Sequence, residues 1–249
     1  MSHSSHSKTV SGYFAGIAGW YDFLNHFLSL GQDIYWRRRL VRHIRTNEEG
    51  LILDLAAGTM DVTREILKHY PGVKVLALDY TMAMLIKGKK KIRHETSLAA
   101  PAQGDARFLP LPDNCVDSVT IAFGIRNITP RAEACHEIFR VLKHGGRLCI
   151  LEFGTGKKRI WGGLYNFYLT RVLPFVGRAI SRNKQAYTYL AETIADFPDS
   201  RDLAMEMKTA GFAKIFYYPL SSGIVYVHVG EKAVTQKSSA QDRLPADPE

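Results

Sequence analysis

The sequence predicts an α/β fold in which a mostly parallel sheet is covered by helices on both faces and extended at its end by an antiparallel strand. Three observations predict it. Apolar runs of strand length alternate with amphipathic stretches of helix length from residue 51 onward. The first run passes through a small-residue turn directly into a helical pattern, the strand, tight turn and helix of a nucleotide-holding unit. Finally, "KIFYYPL" and "GIVYVHVG" close the chain, separated by Ser221 and Ser222 like a hairpin.

The elements follow in order. Residues 1–9 are polar and small, as is the end from 234, so a single domain over 10–233 is expected between disordered tails at 1–9 and 234–249. The stretch "YFAGIAGWYDFLNHFLSLGQDIYWRRRLVRHI" predicts two or three helices within 10–46. In "LILDLAAGTMDVT" (51–63) the run Leu51, Ile52, Leu53 ends in Asp54, and the helical pattern begins at Val62 and continues through Ile66 and Leu67. "VKVLALD" (73–79) is a buried strand ending in an acid, with "TMAMLIKGKKKI" as its helix. A short third strand and loop are expected around "PAQGDARFLPLP", and "VDSVTIAFG" (116–124) is the fourth strand. "PRAEACHEIFRVLKHGG" predicts a helix stopped by Gly145 and Gly146, after Lys143 and His144. "RLCILEF" (147–153) is strand five, an aromatic insertion fills 154–198, and a helix is expected over 199–210 before the hairpin.

At 249 residues, one large α/β domain with appendages is the natural reading, and 46% hydrophobic with 23% charged residues is ordinary for a globular chain. No run approaches the roughly 18 apolar residues of a membrane span, and "MSHSSHSK" lacks the apolar core of a secretory signal, so a cytoplasmic location is expected. Cys115, Cys135 and Cys149, odd in number and without CxxC spacing, give neither a disulfide framework nor a zinc site, and no metal is expected. The 33 Lys and Arg against 24 Asp and Glu, a net +9, point to an anionic partner. Without an RNA-binding or helix-turn-helix signature, nucleic acid is not favoured. Two basic runs, "YWRRRLVRHIR" (35–45) and "KGKKKIRH" (87–94), suit a lipid surface, although the second reads equally as a solvated helix face.

The strand tips, taken in order, assemble a site: the loop 56–61, Asp79, Asp105, the segment 123–127, and Glu152 with Phe153. Asp79 lies about one βαβ unit past the first turn, where an acid accepts hydrogen bonds from both ribose hydroxyls. Dinucleotide loops carry glycine at alternate positions so that the backbone can approach a pyrophosphate, whereas here the alternation gives Ala56, Gly58 and Met60. S-adenosylmethionine has a sulfonium and an amino-acid tail in place of phosphates, and its loop tolerates more side chain. Gly58 is the expected point of closest approach, with the Thr59 hydroxyl beside it and room left by Ala56 and Ala57. A positive φ at Met60 would cost on the order of 1 kcal/mol.

Together "FAGIAGWYDFLNHFLSLGQDIYWRR", "LILDLAAGTMD", "PLPDNCVDSVTIAFGIRNITP", "RVLKHGGRLCILEF" and "YTYLAETIADFPD" resemble the quinone C-methyltransferases of ubiquinone and menaquinone biosynthesis, over about residues 14 to 230. "FGIRN" and "YTYLAETI" are the specific parts; the first loop is shared by class I methyltransferases in general. The resemblance implies a Rossmann-like, seven-stranded class I methyltransferase sheet with an N-terminal helical lid (10–46) and an acceptor-side helical insertion after strand five (154–198). It also implies that Thr59, Asp79, Asp105 and Ala106 contact S-adenosylmethionine, Asp79 at the ribose and Asp105 near the adenine amino group. Two departures stand out: Ala57-Gly58-Thr59-Met60 replaces the family's Gly-Gly-Thr-Gly, and Ala122 replaces a serine that contacts the cofactor.

The implied reaction is methyl transfer to a ring carbon of a prenylated quinol, demethylmenaquinol first and the demethylated ubiquinone precursor second. Ring carbon is nucleophilic only when the quinol oxygen is electron-rich, ideally a phenolate. Arg126 and Asn127, at the mouth of strand four, are the candidates to stabilise O⁻; an arginine stays protonated, so its role is electrostatic or to orient a water. Tyr187, with Tyr189, Tyr21 and Asp22, is expected to close over the ring, although each also reads as packing, and His26 reads as structural. In the insertion Trp161, Tyr165, Phe167, Tyr168 and Phe175 are punctuated by Arg159, Arg171 and Arg178. That face suits the prenyl tail and an anionic leaflet, or equally a cap buried on the domain. A homo-oligomer is compatible with the sequence. The competing reading, motivated by Met60 and Ala122, is a protein that binds cofactor or quinone without turnover.

Overall fold

The computed structural model describes residues 29–93, 97–154 and 196–234, together with 11, 12, 16, 26, 189 and 192–194. Residues 1–9 and 235–249 of the tails, Tyr21, Asp22, Tyr187 and the aromatic residues named in the insertion lie outside these residues. In chain order the elements are α1 (Gln32–Val41), β1 (Leu51–Leu55), α2 (Asp61–His69), β2 (Lys74–Asp79), α3 (Met82–Lys91), β3 (Ala99–Gln103) and β4 (Val116–Ala122). Then come α4 (Arg131–Val141), β5 (Leu142–Phe153), α5 (Ser200–Thr209), β6 (Lys214–Leu220) and β7 (Val225–Glu231).

The seven strands form one sheet in the order β3-β2-β1-β4-β5-β7-β6. The pairs β1–β2, β1–β4, β2–β3 and β4–β5 are parallel. β7 runs antiparallel to both β5 and β6, so it slots between them and leaves β6, with Pro219, at the edge. Strand alternation sorts the side chains. Leu53, Leu148 and Ile150 enter a core with Ala134, Ile138, Leu203 and Met207 of α4 and α5. Ile52, Cys149 and Leu151 point the other way, into a core with Trp36 and Leu40 of α1 and Val62 and Ile66 of α2. The chain order reverses between β1 and β4, and a crevice opens at the carboxyl ends on such a switch point.

The glycine stop expected at Gly145 is not where α4 ends. The helix stops at Val141, and the following residues already belong to β5. Pairing jumps from Val116↔Leu142 to Ser118↔Arg147, so Lys143 to Gly146 bulge out of the sheet, with Gly145 at φ 79°. A distant residue caps the helix: Lys232 Nζ donates to the carbonyls of Phe139 at 2.7 Å and Leu142 at 2.8 Å, and to Asn114 Oδ1 at 2.8 Å. A cation on the last carbonyls does the work that the sequence assigned to glycine. The third strand also lies earlier than expected, at Ala99–Gln103.

Among the described residues no helix is long and apolar enough to cross a membrane, and no group of metal-ligating side chains occurs. The three cysteines are free, and burial pushes the thiols of Cys135 and Cys149 up to about 12.

Candidate active site

The loop after β1 turns sharply because three of its residues lie in the left-handed region: Ala56 (φ 54°), Gly58 (φ 54°) and Met60 (φ 63°). These are the alternating positions picked out in the sequence, and the strain expected at Met60 is present. Each non-glycine has a glycine facing it. A Cβ on Gly88 of α3 would lie 2.6 Å from Met60 Cγ and 2.9 Å from its Sδ. A Cβ on Gly124 would lie 2.5 Å from that of Ala56. Met60 is therefore fully buried, packed with Ala77, Ile92 and Ala99, and its side chain occupies core space outside the ligand crevice.

Two cavities flank the loop and share Ala56, Gly58, Ala122 and Phe123 as a common wall. The larger encloses about 760 Å³ out to its open mouth and is walled by Leu55, Leu78, Met84, Ala106 and Ile128, with Asp79, Asp105 and Asn127 as polar groups. Ser11 also borders it, and its Oγ accepts a hydrogen bond from Thr81 Oγ1 at 3.1 Å. The smaller, about 360 Å³, is bordered by Arg37, Asp54, Thr59 and Asp61.

Each acid is held in place. Asp79 Oδ2 accepts from the Gly58 amide at 2.8 Å and Oδ1 from the Thr81 amide at 2.7 Å, fastening the loop to the tip of β2. Burial outweighs these bonds and raises its pKa. Asp54 is fully buried and takes the hydroxyls of Thr63 at 2.6 Å and Thr120 at 2.9 Å; burial lifts it to about 6. At Asp105 burial acts upward, but hydrogen bonds from the Arg107 side chain and amide prevail and hold the carboxyl below its usual range. Arg107 is fixed in turn by the Thr129 carbonyl at 2.7 Å. The Thr59 hydroxyl accepts from Lys91 Nζ at 2.9 Å, and the same ammonium reaches Asp61 at 2.6 Å.

The crevice thus gathers Gly58, Asp79, Asp105, Ala106, Ala122 and Asn127 around the larger cavity and Thr59 beside the smaller one. It does not gather Arg126. That guanidinium is buried outside both cavities, where Nη1 donates to Glu152 Oε1 at 2.6 Å and the ring of Phe153 lies 5.6 Å away. Nor is it the surface ion pair that an exposed strand end would give: both side chains are almost wholly buried. Asn127 receives a hydrogen bond from Tyr189 Oη at 3.2 Å, joining the "GIRN" and "YTYLAETI" segments in space. His26 pairs with Asp33 at 2.7 Å.

Sequence reasoning placed Phe123 among the strand tips without its backbone conformation, and missed Arg37 and Asp54. Phe123 lines both cavities, and its positive φ of 57° carries no sequence signal. Arg37 was grouped with a surface run, yet it is turned inward between Asp33 and Asp61. Helical spacing offers the signal, since Asp33, Arg37 and the buried Trp36 and Leu40 share one face of α1. Asp54 ends the first apolar run and could have been read as a buried acid.

The donor set decides between ligands. The larger cavity presents two carboxylates in apolar walls, and its one bordering cation, Arg107, is engaged by Asp105. That suits a nucleoside and is the wrong charge for a pyrophosphate. The smaller cavity sets the Arg37 guanidinium, itself paired with Asp33 and Asp61, beside Asp54 and Asp61, a mixed-charge end that suits a zwitterionic amino acid better than a phosphate. S-adenosylmethionine carries both parts on one frame.

Comparison with known proteins agrees. The profile described as the ubiE/COQ5 methyltransferase family matches residues 1–232. A demethylmenaquinone methyltransferase of Mycobacterium marinum is 42% identical over 90% of this chain and 94% of its own length. The ubiquinone/menaquinone biosynthesis C-methyltransferase UbiE of Geobacter sulfurreducens is 40% identical over 91% of this chain and 90% of its own. Among solved structures, a SAM-dependent methyltransferase of Thermotoga maritima, titled a possible histamine N-methyltransferase, superposes with a TM-score of 0.63 at 17% identity, covering 90% of this chain and 99% of that one. A SAM-dependent methyltransferase of Aquifex aeolicus gives 0.57 at 15% identity, over 78% and 88%. At such identities these two establish the shared fold.

Proposed function

Because the chain belongs to the ubiE/COQ5 methyltransferase family, we propose that it methylates a ring carbon of a prenylated quinol with S-adenosylmethionine, demethylmenaquinol ahead of the ubiquinol precursor. The observation that carries this reading is the pair of adjoining cavities across Gly58, acidic and apolar on one side, zwitterionic on the other. The bound donor supplies an electrophilic methyl group on a sulfonium. The protein's own residues do the rest. Asp79 takes the ribose hydroxyls while keeping the Gly58 amide, since each carboxylate oxygen has a second lone pair to offer. Asp105, oriented by Arg107, faces the adenine side, with Ala106 beside it. Arg37 holds the amino-acid carboxylate, and Asp54 and Thr59 close that end of the crevice. Asn127, on the wall of the larger cavity, serves the quinol with Tyr187, and Arg126, paired with Glu152 outside both cavities, acts on it as a fixed charge.

The acceptor is carried in a membrane, and two features support contact with an anionic leaflet. Leu30, Ile34 and Tyr35 are exposed at the start of α1, with the exposed Arg38 and Arg42 further along the same helix end to end. The insertion over 154–198 is the segment we assign to the prenyl tail. Vesicle association that persists unchanged at high salt would remove the leaflet contact from this reading.

The deciding assay incubates the protein with labelled S-adenosylmethionine and chemically reduced demethylmenaquinone in detergent. Methylated naphthoquinol is expected. Cofactor binding with no transfer would instead favour the turnover-deficient alternative.

A further inference from the structure

The two cavities meet along a wall made by Ala56, Gly58, Ala122 and Phe123. The tips that build it are drawn close together, since a Cβ on Gly124 would lie 2.5 Å from that of Ala56. A molecule with its nucleoside in the larger cavity and its amino acid in the smaller crosses this wall at the atom that joins its halves. In S-adenosylmethionine that atom is the sulfonium. No residue of the shared wall is charged. The carboxylates stand to either side, Asp79 and Asp105 in the larger cavity, Asp54 and Asp61 in the smaller, and each already accepts from a partner in the protein. A sulfonium has no N–H or O–H to donate, so its charge is met by electron-rich surface.

Phe123 is the one side chain of the wall that offers such a surface, because an aromatic face is the negative end of the ring's quadrupole. Its place is fixed. The ring of Phe153 packs against it at 4.8 Å and that of Trp36 at 6.1 Å, and the Phe123 amide donates to the Leu151 carbonyl at 2.8 Å. The backbone is strained to present it. At φ 57° a bulky residue sits in a region that glycine enters freely, whereas the adjacent Gly124, at φ −116°, has no need of that freedom. Strain of this kind, held at the mouth of a site, points to a use for the side chain.

We infer that the ring of Phe123 recognises the sulfonium by a cation–π contact, and so distinguishes the methyl donor from its neutral, demethylated product. This rests on the cofactor placement proposed above and adds the residue that reads the cofactor's charge. Loss of the methyl group leaves a thioether. The attraction to the ring then lapses, while the groups that hold ribose, adenine and amino acid find the same partners as before. The contact therefore favours replacement of spent cofactor by fresh donor in one site.

The test places mono-, di- and trifluorinated phenylalanine at position 123, which drains charge from the ring face at nearly constant shape. Dissociation constants of the full chain for S-adenosylmethionine and S-adenosylhomocysteine are measured by calorimetry. Along the series the affinity for S-adenosylmethionine should fall in steps, about fivefold to thirtyfold in all, while that for S-adenosylhomocysteine changes less than about twofold. Phe123→Leu, which removes the π face and keeps apolar bulk, should lower the donor-to-product ratio to a similar extent. A ratio that holds constant across fluorinated proteins that melt with the wild type overturns the inference and hands the charge to Asp54. An unchanged ratio in Phe123→Leu does the same, and should that variant fail to fold, the fluorinated series decides alone. Protein that shows the fluorine dependence yet methylates no reduced demethylmenaquinone would sink the quinol reading and leave the sulfonium contact standing.

Discussion

The two sides of the switch point treat their buried polar groups in opposite ways. On the β1–β2–β3 side, both oxygens of Asp54, Asp79 and Asp105 are engaged by the protein itself. On the β4–β5 side, Arg126 and Glu152 meet through one nitrogen and one oxygen, and Arg126 Nε and Glu152 Oε2 have no partner among the described residues. A satisfied network fixes one shape, whereas a buried polar atom without a partner carries a cost. The first side is closed within the protein; the second keeps an open polar pair among the described residues.

Arg126→Lys strikes the division hardest. Lysine keeps the charge and loses the planar fork, so turnover should fall about 100- to 1,000-fold, roughly 3–4 kcal/mol. S-adenosylhomocysteine affinity by calorimetry should barely change, and equal losses in both would show the two sides to be one unit. Next comes Asp54. Its pKa is about 6 in the fold against an ordinary 3.8, so the native state binds more protons between those values. Its contribution therefore falls as pH rises through that window, by up to about 3 kcal/mol. In urea unfolding, the wild type minus Asp54→Asn difference should shrink from pH 4 to pH 7; a constant difference would mean that Asp54 titrates normally and the first side carries no stored cost.

A smaller effect is expected at Met60. Met60→Gly relieves about 1 kcal/mol of backbone strain but empties a fully buried site, for a net loss of about 2 kcal/mol. Thermal melts with unchanged cofactor affinity would keep Met60 in the scaffold; tighter binding would return it to the crevice. Gly88→Ala is the mildest, about 1 kcal/mol, because better helix propensity offsets part of the clash with the Met60 side chain. In Met60→Ala the cost of the same substitution should shrink, leaving the 2.9 Å approach to the Thr59 carbonyl carbon, and a cycle with no coupling would dissolve the pairing.

Much of this was legible in the sequence because it is local. Strand alternation, the helix expected over 199–210 and the turn at Ala56, Gly58 and Met60 follow from neighbouring residues, and the structure realises all three. What was hidden is long-range. The partner of Met60 is a glycine 28 positions later in another helix, and the cap of α4 is a lysine in the tail of the last strand. A sequence read locally sees "KHGG" as a helix end; it cannot see Lys232 arriving at Val141's turn first. Likewise, Arg37 sits in a run of like residues, and only the face it shares with Trp36 and Asp33 separates it from Arg38 and Arg42.

The insertion of β7 between β5 and β6 has a bearing on how the molecule keeps to itself. It places β6 on the rim with Phe216, Tyr217 and Tyr218 partly open to water, a sticky ribbon by composition. Pro219 interrupts that ribbon, because its ring nitrogen has no hydrogen to offer a stranger's backbone. Had the hairpin docked the other way round, the aromatic strand would be sealed inside, and proline would sit where a ladder cannot spare a donor.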